Sequence, residues 1–393
     1  MRKNKIWAVI ACAAALAACE LGGTTKWPSY TVVYNANGGE GSMENSVHKY
    51  NETKELNANA FTLDSYLFSG WAETPGGTVK YADRQSVKNL AKENGATVRL
   101  YVEWKPVPVV DVPGTNLADK LSWLRTNAQS DTNYIVEVTT DESIGPTTLP
   151  NRSNMGIILK GTDTTRIISL SSNGRMFEVH SGVTLTLDNN ITLQGRSNNT
   201  NSLVDVSAGG RLVMNAGSAI TGNTYSSSSI GSGYGWGGGV YVGGGTFTMN
   251  GGTISGNTAA YSGGGVYVGG GTFYVGSGEY VGGGTFAMSG GTISGNTAAT
   301  TTTTTPFGGG VAVSGGGTFT KTGGTIYGYS ASDTVNSNTV KNSSGTVVSN
   351  RGHAVYASSS DLIKRKETTA GPSANLRVSY NGSSLVYSGA WDN

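Results

Sequence analysis

Thiols are almost missing from this chain: its only two cysteines are Cys12 and Cys19, so no disulfide and no thiolate metal site can organise residues 20–393. Charge is scarce as well. Charged residues make up 13% of the chain and the formal net charge is +2, which excludes the electrostatic footprint of a binder of nucleic acid or acidic lipid. His48, His180 and His353 are scattered over three regions and do not suggest a histidine metal site. From Val206 to Ser332 the sole carboxylate is Glu279, so that stretch offers no pair for general acid/base catalysis and no cluster for calcium. The nucleophile-elbow pattern G-x-S-x-G and the calcium nonapeptide G-G-x-G-x-D are both absent. Gly233, Gly235 and Gly238 satisfy G-x-G-x-x-G through glycine density alone, without the helix that phosphate binding needs. The expectation is therefore no catalytic residue, no cofactor and no metal. Proline is rare, at 9 against 60 glycines, yet the glycines cluster in runs and do not recur every third residue, which rules out collagen.

What is present begins with Arg2, Lys3 and Lys5, followed by an apolar run from Ile6 to Ala18. That run falls short of the roughly 20 residues a helix needs to span a bilayer and reads as a signal peptide over 1–18. Its end, Leu16-Ala17-Ala18-Cys19, resembles a bacterial lipobox. The resemblance implies lipidation of Cys19, a tether over 19–29, and attachment to a membrane through the lipid anchor.

Residues 30–105 read as a small strand-rich module. Thr31 to Tyr34 and Thr97 to Trp104 alternate with period two, and Asn37-Gly38-Gly39 and Pro75-Gly76-Gly77 mark turns. A helical turn is expected at Ser86 to Lys92. The NANGG turn, the F-x-x-x-x-Y-x-F-S-G-W core from Phe61 to Trp71, the G-T-V-x-Y-A-D segment from Gly77 to Asp83 and the closing L-Y-x-x-W occur in order. On these motifs the module resembles the internalin B-repeat (Listeria–Bacteroides repeat) family, which implies a β-grasp-like unit used as a spacer or binding module. Phe61, Tyr66, Phe68, Trp71 and Trp104 are expected to form a small aromatic core.

Three prolines in KPVPVVDVPGT make residues 106–115 a semi-rigid linker. Asn116 can cap a helix with an apolar face of Leu117, Leu121, Leu124 and Ala128, which would cover one end of the second domain. From Gly237 a unit of three short strands repeats between glycine-rich turns. Alternation puts Val240, Val242, Phe247, Met249 and Ile254 on one face and Tyr241, Thr246, Thr248, Thr253 and Ser255 on the other. One unit cannot bury its apolar face alone, but stacked turns of a coil can. The expected fold is thus all-β: a β-grasp-like repeat module, then a right-handed parallel β-helix over 116–393 with an N-terminal capping helix. An extra VYVGGGTF-like piece interrupts the repeat, and Thr300 to Pro306 reads as an exposed loop. The corners S-G-N-T or T-G-N-T place Asn223, Asn257 and Asn296 as structural corner asparagines, next best to glycine at φ > 0 and able to stack as an amide ladder. Lys321 replaces Met249 and Tyr329 replaces Asn257 in the last unit, which suggests inward positions opening to solvent.

The glycine-rich rungs resemble β-helix surface proteins of the polymorphic outer-membrane-protein and pectate-lyase-like group. The tail SYNGSSLVYSGAWDN, beside the lipobox and repeat module, resembles spirochaete surface lipoproteins. These resemblances imply an outer-membrane, surface-exposed adhesion or display protein without enzymatic activity, whose partner is a host-matrix, glycan or cell-surface protein ligand and not nucleic acid. A polysaccharide-active enzyme would require Glu178, His180, Asp188 and Asp205 to converge in a groove. A purely structural envelope component is the third possibility.

Overall fold

The computed structural model describes residues 27–226, 235–269, 282–300, 306–358, 363–381 and 385–392. The chain divides into two units between Pro106 and Val107.

The first unit holds a four-stranded sheet in the order Ser46–Lys49, Ser29–Asn35, Ala96–Pro106, Tyr66–Ala72. Its two central strands are parallel and the outer pairings antiparallel, the strand arrangement of a β-grasp. Trp71 is fully buried, with the rings of Tyr34, Phe68 and Phe61 around it at centroid distances of 4.9, 5.1 and 6.4 Å. Tyr66 is not in this core. It pairs with Pro106 at the far end of the sheet, beyond the last core layer, and is 44% exposed. The helical turn expected at Ser86 to Lys92 does not form. Ser86–Val87 pairs antiparallel with Lys54–Glu55, and Val87, Leu90 and Ala91 reach the core from non-helical chain that bends at Asn89, φ 57°. A single turn gains too few hydrogen bonds to repay its nucleation, whereas the strand pairing is available at once.

The second unit starts inside the segment expected to be a linker: Val109–Asp111 pairs in parallel with Asn133–Ile135, and Val112 is buried. The prolines at 106, 108 and 113 flank this strand without interrupting it. The helix Leu117–Asn127 comes next, capped by the Asn116 side chain, which accepts from the Asp119 amide at 2.9 Å. Leu117, Leu121, Leu124 and Ala128 are buried in the same core as the strands.

From there the chain winds as a parallel β-helix. A full turn lays one short strand on each of four walls, here called A, B, C and D, which hold eight, ten, seven and four strands; the turns before Thr224 have no strand on D. One turn runs Val240–Gly243 on A, Thr246–Met249 on B, Thr253–Ser255 on C and Thr258–Ala259 on D. The next turn stacks on it in register, with Val240 opposite Val266, Phe247 opposite Phe286 and Ile254 opposite Ile293. All five residues expected to face inward have no exposed surface, and their alternating neighbours are partly exposed. Like therefore stacks on like: Phe247, Phe286 and Phe319 form a ring column with spacings of 4.5 and 5.1 Å.

Register also locates the irregularities. Residues 270–284 connect A to B where 244 and 245 suffice one turn earlier, and the strands before and after the extra piece keep their register. Most of it, Glu279 included, and residues 301–305 of the threonine loop lie outside the described residues. Lys321 does not open to solvent. It stacks in register on Met288, is fully buried, and its Nζ donates to the carbonyls of Gly371 and Ala374 at 2.7 and 2.8 Å. Burial holds its amine below the usual lysine range. The chain there is covered by antiparallel strands: Leu376–Tyr380 on wall B, with Leu385–Gly389 beside it, and Ile363–Lys366 on wall A.

Candidate functional site

Two lines of side chains run across the turns, one buried at the corner between walls C and D, one on the outer face of wall A.

The buried line is the asparagine ladder. Asn223, Asn257 and Asn296 have no exposed surface. The Asn223 amide donates to Asn257 Oδ1 at 3.1 Å, and the Asn257 amide to Asn296 Oδ1 at 3.0 Å. Asn257 Nδ2 donates to Asn296 Oδ1 and to the carbonyls of Ile220 and Ser255. Contrary to expectation, these asparagines do not supply the positive φ of the corner. The left-handed residue is the preceding glycine, Gly222, Gly256 or Gly295, with φ of 68°, 65° and 63°. Asparagine is there for its amide, which supplies both donor and acceptor to backbone that the corner would otherwise strand. Tyr329 does not take the next rung. The chain makes an excursion and Asn338 fills it, its Oδ1 accepting from the Asn296 amide at 2.9 Å. Asn199 closes the other end, donating to Asn223 Oδ1 at 2.9 Å. Asn199 and Asn338 carry the signal that the glycine-based motif overlooked: every ladder member is followed by threonine.

On wall A the outward column reads Glu178, Asp205, Tyr241, Tyr267, Ala312, Tyr356, Arg365, each in register with the next. At the acidic end Arg175 Nε bonds Asp205 Oδ2 at 2.7 Å, and His180 Nε2 lies 3.8 Å from Glu178 Oε2. Burial pushes the Asp205 carboxyl above its ordinary range, and Arg175 opposes that shift. Trp236, at the corner leading into wall A, lies parallel to Tyr267 within 4° at 5.0 Å and to Tyr241 within 9° at 6.3 Å. Tyr241 and Tyr267 stack at 5.7 Å. These rings can lean along their strands because Gly243 and Gly269 stand two residues later; a Cβ at either glycine would collide with the tyrosine ring. Burial raises the Tyr241 hydroxyl far above the usual phenol range, so it stays protonated. Tyr267 Oη and Ser314 Oγ share a hydrogen bond of 2.6 Å. Further along, Phe307 stacks on Tyr356 at 4.4 Å and Arg351 lies 5.1 Å from the Phe307 centroid.

Of the four residues whose convergence would mark an enzyme, Glu178, His180 and Asp205 share this face. Asp188 does not. It sits after the wall B strand Val183–Leu187, where its Oδ1 accepts from Asn215 Nδ2 at 3.1 Å. Arg175 and Trp236, both part of the face, were not flagged by sequence; neither lies in the repeated motif. Among the described residues no group of three or more His, Cys, Asp and Glu could hold a metal, and no helix is long and apolar enough to cross a membrane. Cys19 lies outside the described residues.

No curated protein and no solved structure matches the chain. The family model of the Listeria-Bacteroides repeat domain matches residues 30–92. That span takes in every strand of the first unit's sheet but the one from Ala96 to Pro106, which supplies its parallel centre. The chain thus carries a Listeria-Bacteroides repeat domain ahead of a parallel β-helix.

Proposed function

We propose that this protein is a lipid-anchored envelope protein, displayed at the cell surface, that binds a ligand on the outer face of wall A and performs no chemistry on it. The observation that carries this reading is the pairing of Asp205 with Arg175. This carboxylate is buried and engaged by a guanidinium instead of standing ready to bind a cation or move a proton, and the turns beyond it present rings in place of acids. Aromatic side chains and arginine are the types that dominate binding hot spots, because they bury much area at small entropic cost. Trp236, Tyr241, Phe307 and Arg351 are partly exposed along this face. The Listeria-Bacteroides repeat domain supports a spacer or binding role for the first unit, and Cys19 is the proposed lipid site. Ligands of this kind of surface are host-matrix components, glycans or proteins of another cell.

The test uses the protein from Gly22 onward on a glycan array and a panel of matrix proteins. A captured ligand should lose about tenfold or more in affinity with Tyr241→Ala, as removal of a hot-spot ring does. Pectin, polygalacturonate, chondroitin and hyaluronan should all stay intact, with or without calcium. Turnover of any of them that vanished in Asp205→Asn or Glu178→Gln would overturn the non-enzymatic reading. In cells, Cys19→Ser should abolish incorporation of labelled fatty acid.

A further inference from the structure

We infer that the C-terminal end of the coil is fastened by a latch that His353 holds only in its neutral form, so that acid releases it. His353 stands two residues before Val355–Ser358, the last parallel strand of wall A, and is 3% exposed. Its Nδ1 accepts a hydrogen bond from the Val340 amide, on wall D, at 3.0 Å. The ring proton is therefore assigned to Nε2, which faces Glu367 Oε2 at 3.5 Å. Glu367 directly follows the covering strand Ile363–Lys366, and its other oxygen accepts from the Gly352 amide. One imidazole thus ties wall D to wall A, beside a Glu367 oxygen that has no hydrogen-bond partner of its own among the described residues.

A second ring proton occupies the lone pair with which Nδ1 accepts from the Val340 amide. An N–H would then point at the N–H of Val340 in a buried place, and both donors would be left unpaired. The charged group facing the ring is Glu367. Tyr329 packs on the ring at 5.3 Å. Lys366 and Asp392, which flank Glu367, are paired with each other at 3.0 Å. On His353's own segment Arg351 lies against Phe307, and Lys341, on the strand of Val340, is partly exposed. Burial lowers the His353 pKa and Glu367 opposes it more weakly. The closed form therefore binds fewer protons than the open one. Closure is at full strength above the unfolded-state value of about 6.5 and is lost as pH falls, by up to about tenfold per unit for one proton.

Release is confined to the junction of walls D and A. A protonated ring still attracts Glu367, and Ile363–Lys366 pairs antiparallel with the whole of Val355–Ser358 through bonds that do not involve the imidazole. Lys364, Arg365 and Lys366, the kind of charged edge that keeps a sheet from pairing with another chain, therefore stay in place while the Val340 contact opens.

Hydrogen exchange of the full chain between pH 8 and 5, corrected for intrinsic rates, tests the latch. Below about pH 6.5, opening of peptides that cover Val340 should rise by up to about tenfold per unit, while peptides covering Phe247 to Met249 stay protected. His353→Gln, whose amide oxygen can still accept from Val340, should remove the pH dependence. Glu367→Gln, which leaves the ring in place, should keep it and extend it to lower pH. Exchange at Val340 that is flat with pH, opening of all peptides together, or an unchanged slope in a folded His353→Gln would each overturn the latch. If His353→Gln does not fold, the wild-type and Glu367→Gln profiles decide by the same criteria.

Discussion

Replacing Asn257 by alanine should damage the coil far more than its small volume suggests. Asn257 Oδ1 is the acceptor for the buried Asn223 amide at 3.1 Å, and its Nδ2 serves the carbonyls of Ile220 and Ser255 at 3.0 and 3.1 Å. Alanine strands the Asn223 N–H outright, at about 1–3 kcal/mol for one buried unsatisfied group. It also cuts the ladder between Asn223 and Asn296 and leaves a small void, so the total should reach about 2–5 kcal/mol. Asn257→Asp is the sharper probe, because it keeps the acceptor and the shape. It turns the donor NH2 group into one carboxylate oxygen aimed at two carbonyls and at Asn296 Oδ1, which lies 3.1 Å from Nδ2. At pH 7 the aspartate should therefore cost more than the alanine. Its folded-state pKa must lie above the unfolded value of about 3.9, so the penalty is absent below that value and grows as pH rises toward the folded pKa. Urea melts of the chain from Gly22 onward, monitored by circular dichroism at pH 5 and 7.5, measure this. Thr248→Ala, a partly exposed neighbour in the same turn, should stay within about 0.5 kcal/mol and is the control. An alanine at 257 no worse than that control would refute the ladder as a source of stability.

Phe247→Ala should cost about 3–5 kcal/mol, since the rings of Phe286 and Phe319 hold the column open around the void; the same melts check it. Lys321→Met restores the residue found at Met249 and Met288 but removes both bonds to Gly371 and Ala374. Proteolysis within residues 371–375 should speed up while the melt of the coil changes little. In the first unit His48 is fully buried and burial pushes its pKa down, with its Nε2 bonded to Ser46 Oγ at 2.9 Å. The folded module therefore binds fewer protons than the unfolded one, and its thermal midpoint should fall as pH drops below about 6.5. A His48→Gln module should show a flatter profile.

The coil was readable because its two signals are local and repeated. A side-chain period of two gave the direction of Val240 through Ile254, and the recurring unit gave the stacking partner. Local signals also misled. Lys321 and Tyr329 look like the decay of a repeat when only the unit itself is read. Their true settings depend on carbonyls and an asparagine that arrive from much later in the chain, at Gly371, Ala374 and Asn338. The prolines around Val109–Asp111 signalled a linker, but a parallel edge strand needs only its own few amides, and these lie between the prolines. The acidic end of wall A was visible as Glu178, His180 and Asp205. The group that fixes the state of Asp205, Arg175, comes from the preceding corner, and no spacing rule connects the two.

The in-register walls also bear on how such a chain changes over generations. Residues 283–300 restate 244–261 almost word for word, and the spare piece between them leaves Phe247 over Phe286 and Ile254 over Ile293. Near-identical coding segments invite unequal recombination. A crossover that joins one copy to the next adds or removes whole turns, and the product again has valine over valine, phenylalanine over phenylalanine and asparagine over asparagine. Such a gene can lengthen or shorten the surface it encodes in a single event while both capped ends stay as they are.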